Sequence, residues 1–206
     1  MRYLFVTVLF WTNIFCQTSQ SGWPEYNISQ ALDTAKFLKQ NELEKKFKDI
    51  IPGFESNRAR LTLTDSGNRI SPRELQTPDF PMPCYCNMTD DTLHIVVAAG
   101  MMAGLGVDIA LLNDRFNASY IQEADGMEIF KLQQNDSTYT DRVKIPAAVQ
   151  KLTLLKTPEF KNKEMINGSF EGQFSTFYQR ESADEVIKRN YKAKIFFRCI
   201  LNRQTE

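Results

Sequence analysis

The chain predicts a mainly β protein: an antiparallel β-sandwich or barrel-like domain of seven to eight strands, preceded by an N-terminal helical segment. Three observations carry this. From about residue 92 onward, apolar and polar residues alternate in short runs separated by turn-forming residues. No long helical pattern divides those runs, which argues against a parallel sheet with crossover helices. The helical spacing that does occur lies before Pro52-Gly53.

Taken in order, the first residues read as a targeting segment. Arg2 is followed by "YLFVTVLFWTNIFC" and then the polar "QTSQSG". A short positive region, an apolar region and a polar exit are the order of a secretory signal. The apolar part is shorter than the roughly 20 residues that span a bilayer. Residues 1–19 are therefore expected to be a signal peptide, 20–53 the helical segment and 54–206 the β domain.

Within the helical segment, Ile28, Leu32, Ala35 and Leu38 recur at helical spacing, with Asn27 or Ser29 available as a cap. Leu43, Phe47 and Ile50 restart the pattern, and Asn41 with Glu44 has capping-box spacing. "ARLTLT" (59–64) alternates as a strand and runs into the turn "DSGN". Residues 71–83 hold four prolines and are expected to be a connector or edge segment.

"LHIVVAAGMMAGLGVDIALL" (93–112) is apolar enough to suggest a membrane span. Its uninterrupted apolar part, Ile95 to Val107, is only 13 residues, and Asp108 follows directly. A central Asp in a span is unfavourable by about 3 kcal/mol. A buried β-hairpin fits better. Leu93, Ile95, Val97 and Ala99 share one strand face, and Val107, Ile109 and Leu111 share another. The glycines at 100, 104 and 106 serve the connection. Further strands are expected at 127–133, 149–156, 164–178 and 191–201. In 164–178, Phe170, Gly172, Phe174, Thr176 and Tyr178 share a face. In 191–201, Tyr191, Ala193, Ile195, Phe197, Cys199 and Leu201 point inward and Lys192, Lys194 and Arg198 outward. Ser182 and Glu185 have the spacing of a short helical turn.

Two features agree with export. After the leader three cysteines are left, Cys84, Cys86 and Cys199. Cys84 and Cys86 are too close to bridge each other comfortably, so one of them is expected to bond to Cys199. Asn-X-Ser/Thr occurs at Asn27, Asn87, Asn117, Asn135 and Asn167, where chance supplies about one or two sites. The expected location is extracytoplasmic: secreted, or periplasmic in a bacterium.

The catalytic inventory is thin. His94 is the single histidine, with Asp90 and Asp91 near it in sequence. No Gly-x-Ser-x-Gly motif and no phosphate-cradling loop occurs. Cys-Tyr-Cys with one distant Cys lacks zinc spacing, so neither a metal nor a cofactor is expected. Asp184 and Glu185 lie in a polar run and read as solvated. Twenty-five basic residues balance 25 acidic ones, so no global field draws the chain to nucleic acid. The sequence thus predicts a non-enzymatic exported β domain that binds a protein partner or an apolar ligand, with no membrane span in the mature chain. The other function it admits is a hydrolase using His94 with carboxylates from neighbouring strands.

Overall fold

The structure is a computed structural model, and it describes residues 22–33, 53–67, 73–76, 82–100 and 103–202. In chain order the strands are β1 (Asn27–Ile28), β2 (Arg58–Asp65), β3 (Arg73–Gln76), β4 (Met82–Thr89), β5 (Thr92–Gly100), β6 (Ala103–Leu112) and β7 (Arg115–Ala124). They continue with β8 (Phe130–Lys131), β9 (Arg142–Leu154), β10 (Met165–Phe174), β11 (Phe177–Arg180), β12 (Val186–Arg189) and β13 (Tyr191–Asn202). A 3-10 turn at Phe54–Ser56 leads into β2.

Eight of these strands, β2, β4, β5, β6, β7, β9, β10 and β13, pair antiparallel with their successors, and β13 returns to β2. The result is a closed up-and-down barrel, the outcome that leaves no sheet edge in the ring. β3 lies beside β2 where β4 has not yet begun, so the proline-rich connector is partly a paired strand. β12, β11 and β8 form a second sheet of three strands at the end where β7 leads to β9 and β10 leads to β13.

The hairpin expected at 93–112 is present as β5 and β6, registered from Leu93 opposite Leu111 to Gly100 opposite Gly104. Leu93, Ile95, Val97, Val107, Ile109 and Leu111 are buried in the barrel. The inward set of β13 is also as expected, from Tyr191 to Leu201. No helix among the described residues is long and apolar enough to cross a membrane.

Four expectations are corrected. The helix expected from Asn27 onward does not start there: Asn27 and Ile28 form β1, parallel to Thr153 and Leu154 of β9. The cause lies in the barrel wall. β7 and β9 stop pairing at Ser119 opposite Pro146, because proline brings no N–H to a ladder. Below that point Gln150 Oε1 accepts the Ala118 N–H (2.9 Å), and the carbonyl of Pro24 accepts the Phe116 N–H (3.0 Å). The N-terminal segment is thus extended, since it supplies the backbone groups that the open seam lacks. The rest of the expected helical stretch lies outside the described residues. The strand expected to run through Tyr178 ends at Phe174, after a register shift at Gln173/Phe174, and Phe177 is buried in the small sheet instead. Only Phe130–Lys131 of the expected 127–133 strand is paired in that sheet. The turn at 182–185 is a hairpin end, with the Glu181 N–H donating to the Glu185 carbonyl (2.9 Å), not a helical turn.

Packing inside the ring pairs rings with glycines. Gly168 faces Phe197 across the β10–β13 ladder, and a Cβ on Gly168 would lie 2.5 Å from Phe197 Cζ. A Cβ on Gly172 would lie 2.4 Å from Phe170 Cζ. These glycines make room for aromatic rings in a narrow barrel.

The disulfide joins Cys86 to Cys199, with Cα atoms 5.7 Å apart. Geometry explains the choice between Cys84 and Cys86. Asn57, at the foot of β2, stands between β4 and β13: its carbonyl accepts the Cys84 N–H (3.1 Å), and its Oδ1 accepts the Ile200 N–H (2.7 Å). Just beyond Asn57 the two strands meet directly, parallel, with Leu201 opposite Cys86. Cys84 keeps a buried thiol whose pKa burial pushes far up, leaving it protonated and inert.

Candidate functional site

Three places in the barrel carry chemistry, and the first is the one the sequence pointed to. His94 on β5 and Asp108 on β6 face outward, one step apart diagonally across the hairpin. His94 Nδ1 lies 2.9 Å from Asp108 Oδ1, and Lys144 Nζ from β9 lies 3.2 Å from Asp108 Oδ2. Burial alone would raise the Asp108 pKa. The His94 hydrogen bond and the charges of His94 and Lys144 outweigh it and hold the carboxyl below its ordinary value. Asp90 and Asp91, the acids nearest His94 in sequence, are exposed in the β4–β5 turn and are not its partners.

A hydrolytic triad needs the histidine between acid and nucleophile. Here the strand order sets a different sequence. Asp108 is opposite Ser119 of β7, while His94 is opposite Asn87 of β4 and Ala110 of β6. The acid is therefore in the middle, and the hydroxyl is on the far side of it from the imidazole. The cluster works as an alternating ion ladder on the barrel wall.

The second place is the interior below the small sheet. Tyr120, Phe174, Phe177 and Tyr191 meet ring to ring, with centroids 4.9 Å apart for Tyr120–Tyr191 and 5.9 Å for Tyr120–Phe177. Phe170 and Phe130 extend the contact at 6.3 and 6.2 Å. Burial, with the neighbouring Tyr191 and Asp65, pushes the Tyr120 phenol well above its usual range, and Tyr120 donates to Gln122 Oε1 (2.9 Å). Above the rings, Arg189 of β12 donates Nη1 to Asp65 Oδ2 at the end of β2 (2.8 Å) and Nε to Gln179 Oε1 of β11 (3.1 Å). Its Nη2 pairs with Glu181. A buried guanidinium with all these acceptors ties the small sheet to the barrel mouth.

The third place is an open groove of about 530 Å³ on the outer wall. Thr62 and Thr64 of β2, Lys192 and Lys194 of β13, Glu171 of β10 and Lys151 of β9 line it. Register puts Glu171 opposite both Lys151 and Lys194 and bonds it to Lys194 (3.1 Å). Arg60 lies on the same outward rows, and Arg198 lies opposite Arg58.

The predicted acceptor asparagines fall into two groups. Asn27, Asn87 and Asn135 are exposed. Asn117 and Asn167 are half-buried, and their side-chain oxygens accept from Gln150 Nε2 (3.3 Å) and Arg198 Nε (3.1 Å). Asp184 and Glu185 are exposed at the β11–β12 hairpin. No group of three or more His, Cys, Asp or Glu side chains is placed to hold a metal ion among the described residues. No family model matches the chain, and no curated protein or solved structure matches it.

Sequence reasoning found His94 but not its partner. The outward Lys192, Lys194 and Arg198 of β13 are legible in the sequence, but Arg58 and Arg60 of β2 are not placed beside them, because adjacency of β13 to β2 depends on barrel closure. The alternation in "RARLTLTD" was the available signal.

Proposed function

We propose that the chain is an exported, non-enzymatic barrel that acts by binding, and that it binds through its outer wall and not its interior. The ring-to-ring contact of Tyr120, Phe174, Phe177 and Tyr191 carries this reading, because side chains already fill the space that an apolar ligand would take. An eight-stranded barrel has room for packed side chains or for one small ligand. Acid-in-the-middle order at Asp108 speaks against the hydrolase. Export rests on the leader at 1–19, the sequons and the Cys86–Cys199 bond, which suits an oxidising compartment. Asn27, Asn87 and Asn135 are the acceptors this reading assigns to sugar, since their side chains are open to water.

Two measurements test it. An environment-sensitive apolar dye titrated into the purified protein is expected to show no saturable uptake, and wild type and His94→Gln are expected to give the same background rate on activated esters. Saturable dye binding displaced by fatty acid would overturn the outer-wall reading. Ester turnover that disappears in His94→Gln would restore the hydrolase. For export, material from eukaryotic secretory cells should lose several kilodaltons of apparent mass on treatment with an amide-cleaving glycosidase. An unchanged mass would remove the glycoprotein reading.

A further inference from the structure

We infer that the outer wall formed by β9, β10, β13 and β2 is a binding site for a linear sulfated polysaccharide, an inference that rests on the outer-wall reading above. Where β9, β10, β13 and β2 pair with one another, their outward rows hold six cations, Arg58, Arg60, Lys151, Lys192, Lys194 and Arg198, against the carboxylate of Glu171, whereas Arg142 and Lys144 on the β7 side of β9 are paired with Glu123 and Asp108. Among the described residues, only Lys194 shares that carboxylate by an ion pair. Arg60, Lys151 and Lys192 are exposed and hold no ion pair among the described residues.

The geometry selects among polyanions. The cations follow strands that lie about 4.8 Å apart, with side chains on one face recurring about every 6.7 Å. That lattice presents several positive charges along a groove of about 530 Å³ rather than at one point. A groove suits a chain better than a flat bilayer, and the strongly exposed apolar residue on its rim is Val149 alone among the groove-lining residues described. Single-stranded nucleic acid is held by rows of aromatic platforms. On this wall Phe196 is a single ring, and Lys194 Nζ lies 5.6 Å from its centroid. β3 pairs with β2 from Thr62 to Asp65 and bounds the track on that side. Under the export reading, the extended polyanions met outside the cell are sulfated polysaccharides. Thr62 and Thr64 supply hydroxyl donors for sulfate oxygens between the lysines.

The experiment uses the full mature chain and heparin oligosaccharide as the probe. At about 0.1 M salt, where the Debye length is about 10 Å, saturable binding is expected. The double variant Lys151→Gln/Lys192→Gln should weaken it about tenfold and lower the slope of log affinity against log salt by about 1.4, near 0.7 per lost contact. Lys144→Gln removes the same charge from the first half of β9, which pairs with β7 and where Lys144 is bonded to Asp108, and should leave affinity unchanged. Without any variant, bound heparin should protect Lys151, Lys192 and Lys194 from amine acylation and leave Lys144 reactive. The assignment is overturned if heparin does not bind, if Lys144→Gln weakens it as much as the double variant, or if protection is absent from the groove. Tighter binding to phosphatidylserine vesicles or to single-stranded DNA than to heparin would also overturn it. A barrel that takes up dye defeats the outer-wall reading itself, whereas absent heparin binding with no dye uptake defeats only the choice of polyanion.

Discussion

The wall of β5, β6, β7 and the first half of β9 and the wall of β2, β13, β10 and the second half of β9 are made by the same alternation, but their outward charges are arranged differently. On the first wall Asp108 lies between His94 and Lys144, and Glu123 pairs with Arg142 at 2.7 Å. Between these pairs Val96, Ala98, Gly106 and Ile121 surround a hollow of about 230 Å³. On the second wall cations outnumber acids, and Arg60, Lys151 and Lys192 face water. A net charge of zero summed over the whole chain conceals this segregation. Net charge describes a far field, whereas a ligand at the surface meets the local one.

The comparison is broken most completely at the bond that ties β4, the neighbour of the first wall, to β13 of the second. Cys86 belongs to β4 and Cys199 to β13, and their bond closes a separation of 113 residues. Loop-closure entropy alone assigns such a crosslink about 4 to 5 kcal/mol. Cys86→Ser is expected to lower the denaturant midpoint accordingly, and a midpoint equal to that of wild type would show that the bond adds nothing to the fold.

Next in size is the mouth. Asp65→Ala leaves the buried Arg189 guanidinium without its 2.8 Å partner. About 3 kcal/mol should be lost, near the lower end for a broken buried pair because Glu181 stays in place. Adding Arg189→Leu should return part of it, and chemical denaturation of the single and double variants measures both. A smaller loss, about 2 kcal/mol, is expected for Gly168→Ala, whose new methyl meets Phe197 and the Thr153 carbonyl. Thermal unfolding should show it, together with a changed aromatic circular dichroism.

The paired wall should respond weakly and with a defined pH sign. The folded Asp108 carboxyl titrates below its ordinary value. Its contribution is therefore complete above about pH 4, the unfolded range, and disappears as pH falls through the lower folded value. Asp108→Asn should destabilise by about 1 kcal/mol at pH 6 and by less at pH 3. An equal difference at both values would mean that the carboxylate charge plays no part. Smallest of all, Lys192→Gln should change stability by no more than about 0.5 kcal/mol, since an exposed cation without a partner holds nothing in place. Any larger destabilisation would make the second wall structural.

What the sequence showed and what it hid have separate physical causes. The β5–β6 hairpin was legible because inward residues repeat every second position and Asp108 interrupts the apolar run. The inward face of β13 was legible for the same reason. The departure of β10 at Phe174 was not, because alternation persists in the letters through Thr176 and Tyr178 while the backbone shifts register. The start of the helix failed at Asn27 because a tertiary demand, the open seam below Pro146, overrode a local preference. At the site level, His94 and Asp108 are 14 residues apart, and only the hairpin register makes them neighbours. The cationic wall needs one fact more, that the last strand closes on the second.

Asn57 sets the spacing of β4 and β13, and with it the choice of disulfide. In the parallel register that places Leu201 opposite Cys86, residue 199 is level with Cys84. Once Asn57 has taken the Cys84 N–H and the Ile200 N–H, β4 and β13 are held apart at that level and only the lower crossing stays open. One residue, through its backbone carbonyl and its side-chain amide, thereby distinguishes two chemically equal sulfurs: it acts as a spacer that leaves Cys86 as the partner of Cys199.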